Sequence, residues 1–371
     1  MNDTAAWLRL ALTQGVPSDA ARRAADCPEG LAARIAAGVP ALLDLGLPEE
    51  SARALAGPEP ESLATALEWL EAPGHELLTL ADPDYPPLLR QTPGAPCALF
   101  LRGERRLLGQ PHFAIVGSRN PTPQGEENAL AFAEHLAACG LVICSGLAAG
   151  IDAAAHRGAL AAGAPTTAVL GCGPDRVYPP GNAALARRIA AEGLIVSEFL
   201  PGTRPLRANF PRRNRVISGL SLGVLVVEAA RRSGSLITAR LAGDQGREVF
   251  AIPGSIHNPL ARGCHTLIRQ GAVLVETAAD ILAELGPLAG VSAPANPSPA
   301  DTAGGPESPE ADGDYRRLLE DLAHDPAGVD ALARRTGLTA AEVSSMMLIL
   351  ELQGAVESLP GGRFARKTKR P

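Results

Sequence analysis

Short, continuously apolar segments alternate with amphipathic segments between residues 112 and 285. Strands that are apolar on both faces, each followed by a helix, are typical of a parallel sheet with helices on both sides. The pattern therefore predicts an α/β domain, placed at 81–286, whose ligands bind at the carboxyl ends of the strands. The predicted strands are HFAIVGS, LVICSG, TTAVLGCG, LIVSEF, LGVLVVEA, EVFAIPG and AVLVE, and the predicted helices lie near 122–139, 150–162, 182–192, 211–219, 234–246, 262–270 and 277–285.

The residues before this domain form short Ala/Leu-rich segments that end in Gly or begin near Pro. Such punctuation is typical of short helices, so residues 1–80 are predicted to form a small helical module of the SAM or helix-hairpin kind. Packing or protein contact is one interpretation of this module, and DNA binding is the other. Residues 81–111 are Pro-rich and end in an apolar strand, CALFLRG, that leads into the sheet.

The chain after the sheet changes character twice. Residues 287–311 are mainly Pro, Ala, Ser and Gly, which predicts a flexible linker. Residues 312–371 predict three helices and a hairpin at Gly361-Gly362, the arrangement of a winged helix.

The third helix of this winged helix, 339–353, carries Glu342 and Glu351 but no basic residue. This composition favours protein contact or packing over reading of a DNA major groove, which remains the alternative. The basic tail, RFARKTKRP, is either a solvated terminus or a weak attractor of phosphate.

Charge is unevenly distributed along the chain. The net charge is −6, which by itself argues against nucleic acid. Residues 204–247, however, hold nine arginines against Glu228 and Asp244, and a polyanion responds to local rather than total charge. Arginine also binds phosphate through two parallel hydrogen bonds. This segment is therefore a candidate contact for nucleic acid.

The six cysteines form no Cys-x-x-Cys pair and no Cys/His cluster with zinc-ligand spacing. We expect free thiols in a reduced compartment, and no metal or cofactor. The first residues lack the features of a signal sequence, and no apolar run is long enough to span a membrane. A cytoplasmic protein without membrane contact is therefore expected.

The first motif, VGSRNPTPQG at 116–125, follows a predicted strand and opens a helix. Gly117 allows the backbone to approach a phosphate closely, Ser118 can donate a hydrogen bond, and Arg119 can bind a phosphate with both nitrogens. This is neither GxGxxG nor a Walker sequence. Taken alone, it could equally be a strand–helix turn with a surface arginine.

Two further small-residue turns follow strands. In CSGLAAGIDAAAH, Ser145 and Gly146 are expected to add backbone N–H donors to the floor of a groove. Asp152 and His156, four apart on one helix, are either an acid–base or metal pair or, as we favour, a pair that orients the turn. In GCGPDRVYPPGN, Arg176 is a phosphate candidate, and the tyrosine two residues on is either a stacking platform or structural.

The fourth motif, LRANFPRRNRVISGLS, places one aromatic side chain beside a cluster of arginines. Cationic groups next to an exposed aromatic are typical of single-strand binding, where bases stack and phosphates pair. The alternative is a buried phenylalanine with arginines paired to Glu198 or Glu228. The fifth motif, ARRSGSLITA, starts another helix with small residues. The candidates from both motifs are Phe210, Arg212, Arg213, Asn214, Arg215, Gly234 and Ser235.

None of these motifs assembles a catalytic set, so no catalytic residue is predicted. An enzyme that cleaves nucleotides, of the N-glycosidase or phosphoribohydrolase kind, is the second hypothesis, with Glu228 as its motivation. A nucleotide-sensing module is the third hypothesis.

Taken together, the order and spacing of the five motifs over 112–285 resemble the DprA/Smf family. The resemblance implies a Rossmann-like core with a helical module before it and a winged helix after it. It implies binding of single-stranded DNA without sequence preference, with Arg119 and the arginine-rich segment at the phosphates, and no enzyme activity. It further implies a homodimer that protects incoming DNA during natural transformation and delivers it to RecA in place of single-strand-binding protein.

Overall fold

A mixed sheet of nine strands organises residues 2–289 in the computed structural model. The strands are β1 (His75–Thr79), β2 (Ala98–Gly103), β3 (His112–Val116), β4 (Val142–Ser145), β5 (Thr166–Leu170), β6 (Leu194–Ser197), β7 (Ser221–Val226), β8 (Glu248–Ala251) and β9 (Val273–Leu274). Beyond residue 289 the structure describes residues 315, 318–319, 322, 326–352, 355–359 and 362–366.

The sheet order is β1-β2-β6-β5-β4-β3-β7-β8-β9. From β6 to β9 every neighbouring pair is parallel, as the continuously apolar strands predict. The strands β1 and β2 extend this sheet with antiparallel pairing, and β2 pairs with β6. The chain runs outward from β3 to β6 and then returns to place β7 on the other side of β3. Loops after β3 and β7 therefore diverge, which opens a crevice at their carboxyl ends.

Helices cover both faces of this sheet. They are α1 (Asp3–Leu12), α2 (Ser18–Ala25), α3 (Leu31–Ala36), α4 (Val39–Asp44), α5 (Glu49–Ala56), α6 (Glu61–Leu70), α7 (Pro87–Arg90), α8 (Pro123–Ala138), α9 (Ile151–Ala161), α10 (Ala183–Glu192), α11 (Asn209–Leu220), α12 (Ser235–Asp244), α13 (Arg262–Arg269) and α14 (Ala278–Ala289).

Two large apolar clusters account for this layering. On one face, Trp7 and Leu31 of the helical module share a core with Leu99 of β2 and Val216 of α11. On the other face, α8, α9 and α14 pack on side chains such as Phe113 of β3. Because strand side chains alternate between faces, apolar residues at successive positions supply both cores.

The chain divides into two compact units, Met1–Asn296 and Pro297–Pro371. In the second unit, α15 (Val329–Thr336) and α16 (Ala340–Leu352) pack with the three-stranded sheet β10 (Ala327–Gly328), β11 (Val356–Leu359) and β12 (Arg363–Arg366). The side chain of Glu342 accepts hydrogen bonds from Thr339 at the start of α16, so this acidic residue caps the helix. The predicted linker, from residue 290 onward, and most of the basic tail lie outside the described residues.

Two buried histidines should make the stability of the protein depend on pH. Burial lowers the pKa of His112 to about 4 and that of His156 to about 3. Both values lie below the ordinary value, so the unfolded chain binds protons more readily than the folded one. The contribution of these two histidines to the free energy of unfolding should therefore be nearly constant above about pH 6.5 and fall below it. The expected loss is on the order of 2 kcal/mol per histidine between pH 7 and pH 5.

Urea unfolding followed across this range measures the effect. His257 is exposed, so the variant His257→Gln should reproduce the wild-type curve. A free energy of unfolding that does not change between pH 7 and pH 5 would contradict the interpretation.

Candidate nucleic-acid interface

A cleft of about 830 Å³ lies at the carboxyl ends of β3 and β7. Most of its walls come from three segments that are far apart in sequence: the loop after β3, the beginning of α11 and the loop that leads into α12. The site therefore sits where the sheet order reverses, as expected for an open parallel sheet. Eight predicted site residues line it, namely Gly117, Ser118, Arg119, Phe210, Arg213, Asn214, Gly234 and Ser235.

An arginine and two aromatic rings meet in this cleft. The guanidinium carbon of Arg119 lies 5.3 Å from the ring centroid of Phe210, within the range of a cation–π contact. The Tyr178 ring lies 5.8 Å from the same centroid, and Tyr178 is 44% exposed. A side-chain carbon at Gly171 would come within 2.8 Å of the Phe210 ring, so glycine is what lets this ring settle on the end of β5. The arrangement presents aromatic surface and positive charge side by side.

Arg213 lies beneath this aromatic pair and is only 4% exposed. Its Nη1 donates hydrogen bonds to the carbonyl oxygens of Gly146, at 2.6 Å, and of Val169. Burial lowers the pKa of Arg213, an effect opposed by the neighbouring carboxylate of Asp152. Arg213 thus joins the ends of β4 and β5, and its guanidinium is committed to the protein. Its role is to hold the cleft in shape.

The two neighbouring arginines of α11 point away from the cleft. Arg212 Nη2 donates to Glu198 Oε1 at 3.0 Å, and Arg215 Nη2 donates to the same oxygen. Residues three apart on a helix share a face, whereas residue 213 is turned by about 100°. The arginine-rich segment is therefore divided: the structure does not bring Arg212 and Arg215 together with Arg119. This pairing with Glu198 is the alternative that the sequence left open.

The loop carrying Arg119 is fixed by a carboxylate. Glu228 accepts hydrogen bonds from Thr122 N at 2.9 Å and from Thr122 Oγ1 at 2.7 Å, and Asn258 Nδ2 lies 3.5 Å from it. Thr122 Oγ1 in turn accepts from Gly125 N and caps α8. Glu228 follows a strand, which is the only signal in the sequence that would have suggested this role.

The turn after β4 differs from the expected floor of free N–H groups. Gly146 N and Ala148 N donate to Asp152 Oδ2, at 3.1 and 3.3 Å, so these groups are occupied. Ser145 is fully buried, and its hydroxyl donates to Ile115 O. Asp152 therefore orients the turn, as favoured from the sequence. It does so without His156, whose Nδ1 lies 2.8 Å from Thr166 Oγ1.

The third motif contributes its tyrosine to the cleft. Arg176 is half exposed and lies 3.7 Å from Asp175, and it is not among the cleft-lining residues. Arg207 and Arg232, by contrast, are exposed and line the cleft. Only the local excess of arginine pointed to these two residues.

Metal-binding clusters and membrane-spanning helices are both absent from the residues that the structure describes. No group of three or more His, Cys, Asp or Glu side chains among them is placed to hold a metal ion. No helix among them is both long enough and apolar enough to cross a membrane.

The sheet is mostly parallel and Rossmann-like, and a basic, aromatic-lined crevice lies at its switch point. This combination is typical of α/β proteins that bind nucleotides or nucleic acids. Within that class, the chain belongs to the DNA recombination-mediator protein A (DprA) family. The family model matches residues 76–286, and a model of the DprA winged helix domain matches residues 294–362. Both the resemblance found in the motifs and the predicted fold class are confirmed.

Relatives agree with this assignment. Protein Smf of Escherichia coli is 41% identical over 363 residues, which span 98% of this chain and 96% of that protein. DNA processing protein DprA of Streptococcus pneumoniae is 48% identical over 206 residues, or 56% of this chain and 73% of that protein.

Two solved structures are similar as well. The X-ray structure of DprA from S. pneumoniae has a TM-score of 0.65 and 35% identity, and covers 76% of this chain and 99% of that one. DNA processing protein A from Helicobacter pylori has a TM-score of 0.53 and 30% identity, and covers 57% of this chain and 96% of that one.

Proposed function

We propose that the cleft binds single-stranded DNA without sequence preference. The observation that carries this proposal is the contact of the exposed Arg119 with the Phe210 ring at the carboxyl edge of the sheet, where that ring also lies against Tyr178. Aromatic rings stack on any base, at about 1–3 kcal/mol per base, while arginines pair with the phosphates. Arg207 and Arg232 extend the positive charge along the same cleft.

A related structure supports this choice of ligand. The H. pylori structure is described as showing a single-stranded DNA binding mode of its DNA processing protein A. The two chains are 30% identical over a stretch that covers 57% of this chain and 96% of the H. pylori chain. Membership of the DprA family also agrees with a role in DNA processing.

The wider role follows from the family. We propose that the protein protects incoming DNA and loads RecA during natural transformation or recombination, that it acts as a cytoplasmic homodimer, and that it displaces single-strand-binding protein. The proposed division is a helical module at 1–80, the DNA-binding domain at 81–286, a linker at 287–311 and the winged helix at 312–371.

The proposal is for a binding protein rather than an enzyme. Glu228, the residue that motivated an N-glycosidase, accepts two hydrogen bonds from Thr122 and so serves to hold the Arg119 loop. Incubation with nucleoside monophosphates should release no free base. Release of free base by the pure protein would favour the N-glycosidase hypothesis over a binding protein.

The aromatic contact is tested by the variant Phe210→Leu. Leucine keeps an apolar side chain at this site but removes the ring face, so the affinity for oligo-dT should fall about tenfold, a change of about 1.4 kcal/mol. Fluorescence anisotropy of a labelled oligonucleotide measures the loss.

Phe199→Leu is the matched control. The Phe199 ring also lies under an arginine, with Arg212 5.6 Å from its centroid, but outside the cleft. Its affinity for oligo-dT should be that of the wild type. If the two variants bound oligo-dT equally well, the Phe210 ring would not contribute to binding, and the proposal would lose its main support.

A further inference from the structure

The turn after β4 is held through its carbonyl oxygens as well as through its N–H groups. The carbonyl of Gly146 accepts a hydrogen bond from Arg213 Nη1 at 2.6 Å. The next two carbonyls, those of Leu147 and Ala148, accept from Asn182 Nδ2 at 2.9 and 3.1 Å. Asn182 is 35 and 34 residues away from these two along the chain. Two side chains from distant parts of the sequence therefore occupy three successive carbonyls of one turn.

These two side chains belong to the elements that carry the aromatic rings of the cleft. Arg213 lies three residues after Phe210 in α11, and Asn182 lies four residues after Tyr178 in the loop between β5 and α10. The centroids of the two rings are 5.8 Å apart. Both elements thus bond to the same turn, and Asn182 makes the connection on the side of Tyr178.

The backbone of this turn is strained and is held by its surroundings. Leu147 has a φ of 55°, in the left-handed region, which is costly for a leucine. Such a conformation persists only where neighbouring groups hold it. The Leu147 side chain is fully buried in an apolar cluster, and Val177, the residue before Tyr178, packs against this cluster. This packing and the Asn182 hydrogen bonds both connect the strained turn to the Tyr178 loop.

Asn182 makes its hydrogen bonds from a position that commonly has a different role. It directly precedes α10, where an asparagine usually caps the helix through its side-chain oxygen. Among the described residues, the Asn182 side chain makes no capping hydrogen bond. Asn182 is half-buried and is not one of the residues that line the cleft, so it would act on a ligand only through other residues.

We propose that Asn182 is a positioning residue for the cleft. By bonding to the turn after β4 it holds the Tyr178 ring beside Phe210, and through that ring it raises the affinity for single-stranded DNA. Side chains that contact a ligand bind it best when supporting hydrogen bonds fix their positions. The effect on affinity rests on the function proposed for the cleft, whereas the effect on the place of the Tyr178 ring does not.

Fluorine NMR of the free full chain tests the place of the ring. The chain has three tyrosines, so labelling with fluorotyrosine gives three signals, and Tyr178→Phe identifies the signal of Tyr178. Asn182→Ala should move this signal. The signal of Tyr85, which is buried in the core shared with the helical module, should stay in place and show that the variant is folded. A Tyr178 signal identical to that of the wild type would overturn the proposal, whatever the result with DNA.

Binding of oligo-dT tests the effect on affinity. Asn182→Ala should lower the affinity of the full chain about fivefold, which is less than the expected loss when a whole stacking ring is removed. Because the effect passes through Tyr178, the same substitution should cause no further loss in a Tyr178→Ala background. A loss by the same factor in both backgrounds would show that Asn182 acts by another route and would overturn its assignment as the residue that positions Tyr178.

Asn128→Ala is the matched control. Asn128 Oδ1 also accepts a side-chain hydrogen bond, from Gln124 Nε2 at 2.9 Å, but both residues lie on α8 and outside the cleft. The Tyr178 signal and the affinity for oligo-dT should both be those of the wild type.

The two measurements separate this proposal from the function of the cleft. If the wild type did not bind oligo-dT, the function proposed for the cleft would fail, and the fluorine signal would still decide whether Asn182 positions Tyr178. If the wild type bound oligo-dT and Asn182→Ala bound it equally well despite a moved Tyr178 signal, the function of the cleft would stand. The link between Asn182 and affinity would then be overturned.

Discussion

Replacing Arg119 by alanine should weaken the binding of single-stranded DNA about tenfold or more, and by the same factor for every base sequence. The Arg119 side chain is exposed, and within the described part of the chain no carboxylate lies within ion-pair distance of it. Its charge is therefore available to a phosphate. Loss of one phosphate contact should also reduce the dependence of log K on log salt by about 0.7 for a single strand.

Arg212→Ala removes the same charge from a neighbouring position and serves as the control. Its guanidinium already pairs with Glu198 and lies outside the cleft. It should change the affinity and the salt dependence less than Arg119→Ala does. Equal losses in the two variants would show that total charge, rather than the cleft, governs binding.

Replacing Arg213 by methionine should cause the largest loss of stability, about 3–5 kcal/mol. Methionine fills a similar volume but donates no hydrogen bonds, so the carbonyls of Gly146 and Val169 would lose their partner. Burial already raises the pKa of Asp152, and the charge of Arg213 opposes that rise. Without Arg213, the buried carboxyl of Asp152 would lose this opposing charge.

Urea unfolding measures this loss, with Arg240→Met as the matched control. The Arg240 side chain is 84% exposed and lies 3.9 Å from Asp244, so its replacement should change the free energy of unfolding by no more than about 0.5 kcal/mol. If the two variants were equally stable, the structural role of Arg213 would be wrong.

Arg212, Arg213 and Arg215 show which part of the site cannot be predicted from the sequence. Helical periodicity predicts that 212 and 215 share a face and that 213 does not. It does not say which face meets the cleft, because that depends on the packing of α11 against the sheet. Glu198, which pairs with two of these arginines, is distant in sequence and is brought to them by β6.

More of the fold than of the candidate site can be predicted from the sequence. The strands from β3 to β9 and the helices between them coincide with the apolar runs and amphipathic stretches, because each strand is buried on both faces. The strand β1 was not predicted. Its sequence, HELLT, is short and only partly buried, and its pairing with β2 is a tertiary contact. Local pattern carries little information about such edge strands.

The aromatic side of the site was only half predictable. Phe210 could be singled out because aromatics are scarce, at 3% of the chain, and because arginines surround it. The sequence does not decide between base stacking and a structural role for Tyr178, because Pro-Pro follows it. Its exposed ring beside Phe210 depends on how the loop after β5 approaches the start of α11.

Photocross-linking of oligo-dT to the full chain, followed by mapping of the cross-linked residues, tests the central claim most directly. A strand held in the cleft should cross-link at Phe210 and Tyr178 and within 116–119, regardless of where a photoreactive base is placed along the oligonucleotide. Cross-links confined to residues outside the cleft, such as the helical module or the winged helix, would contradict it.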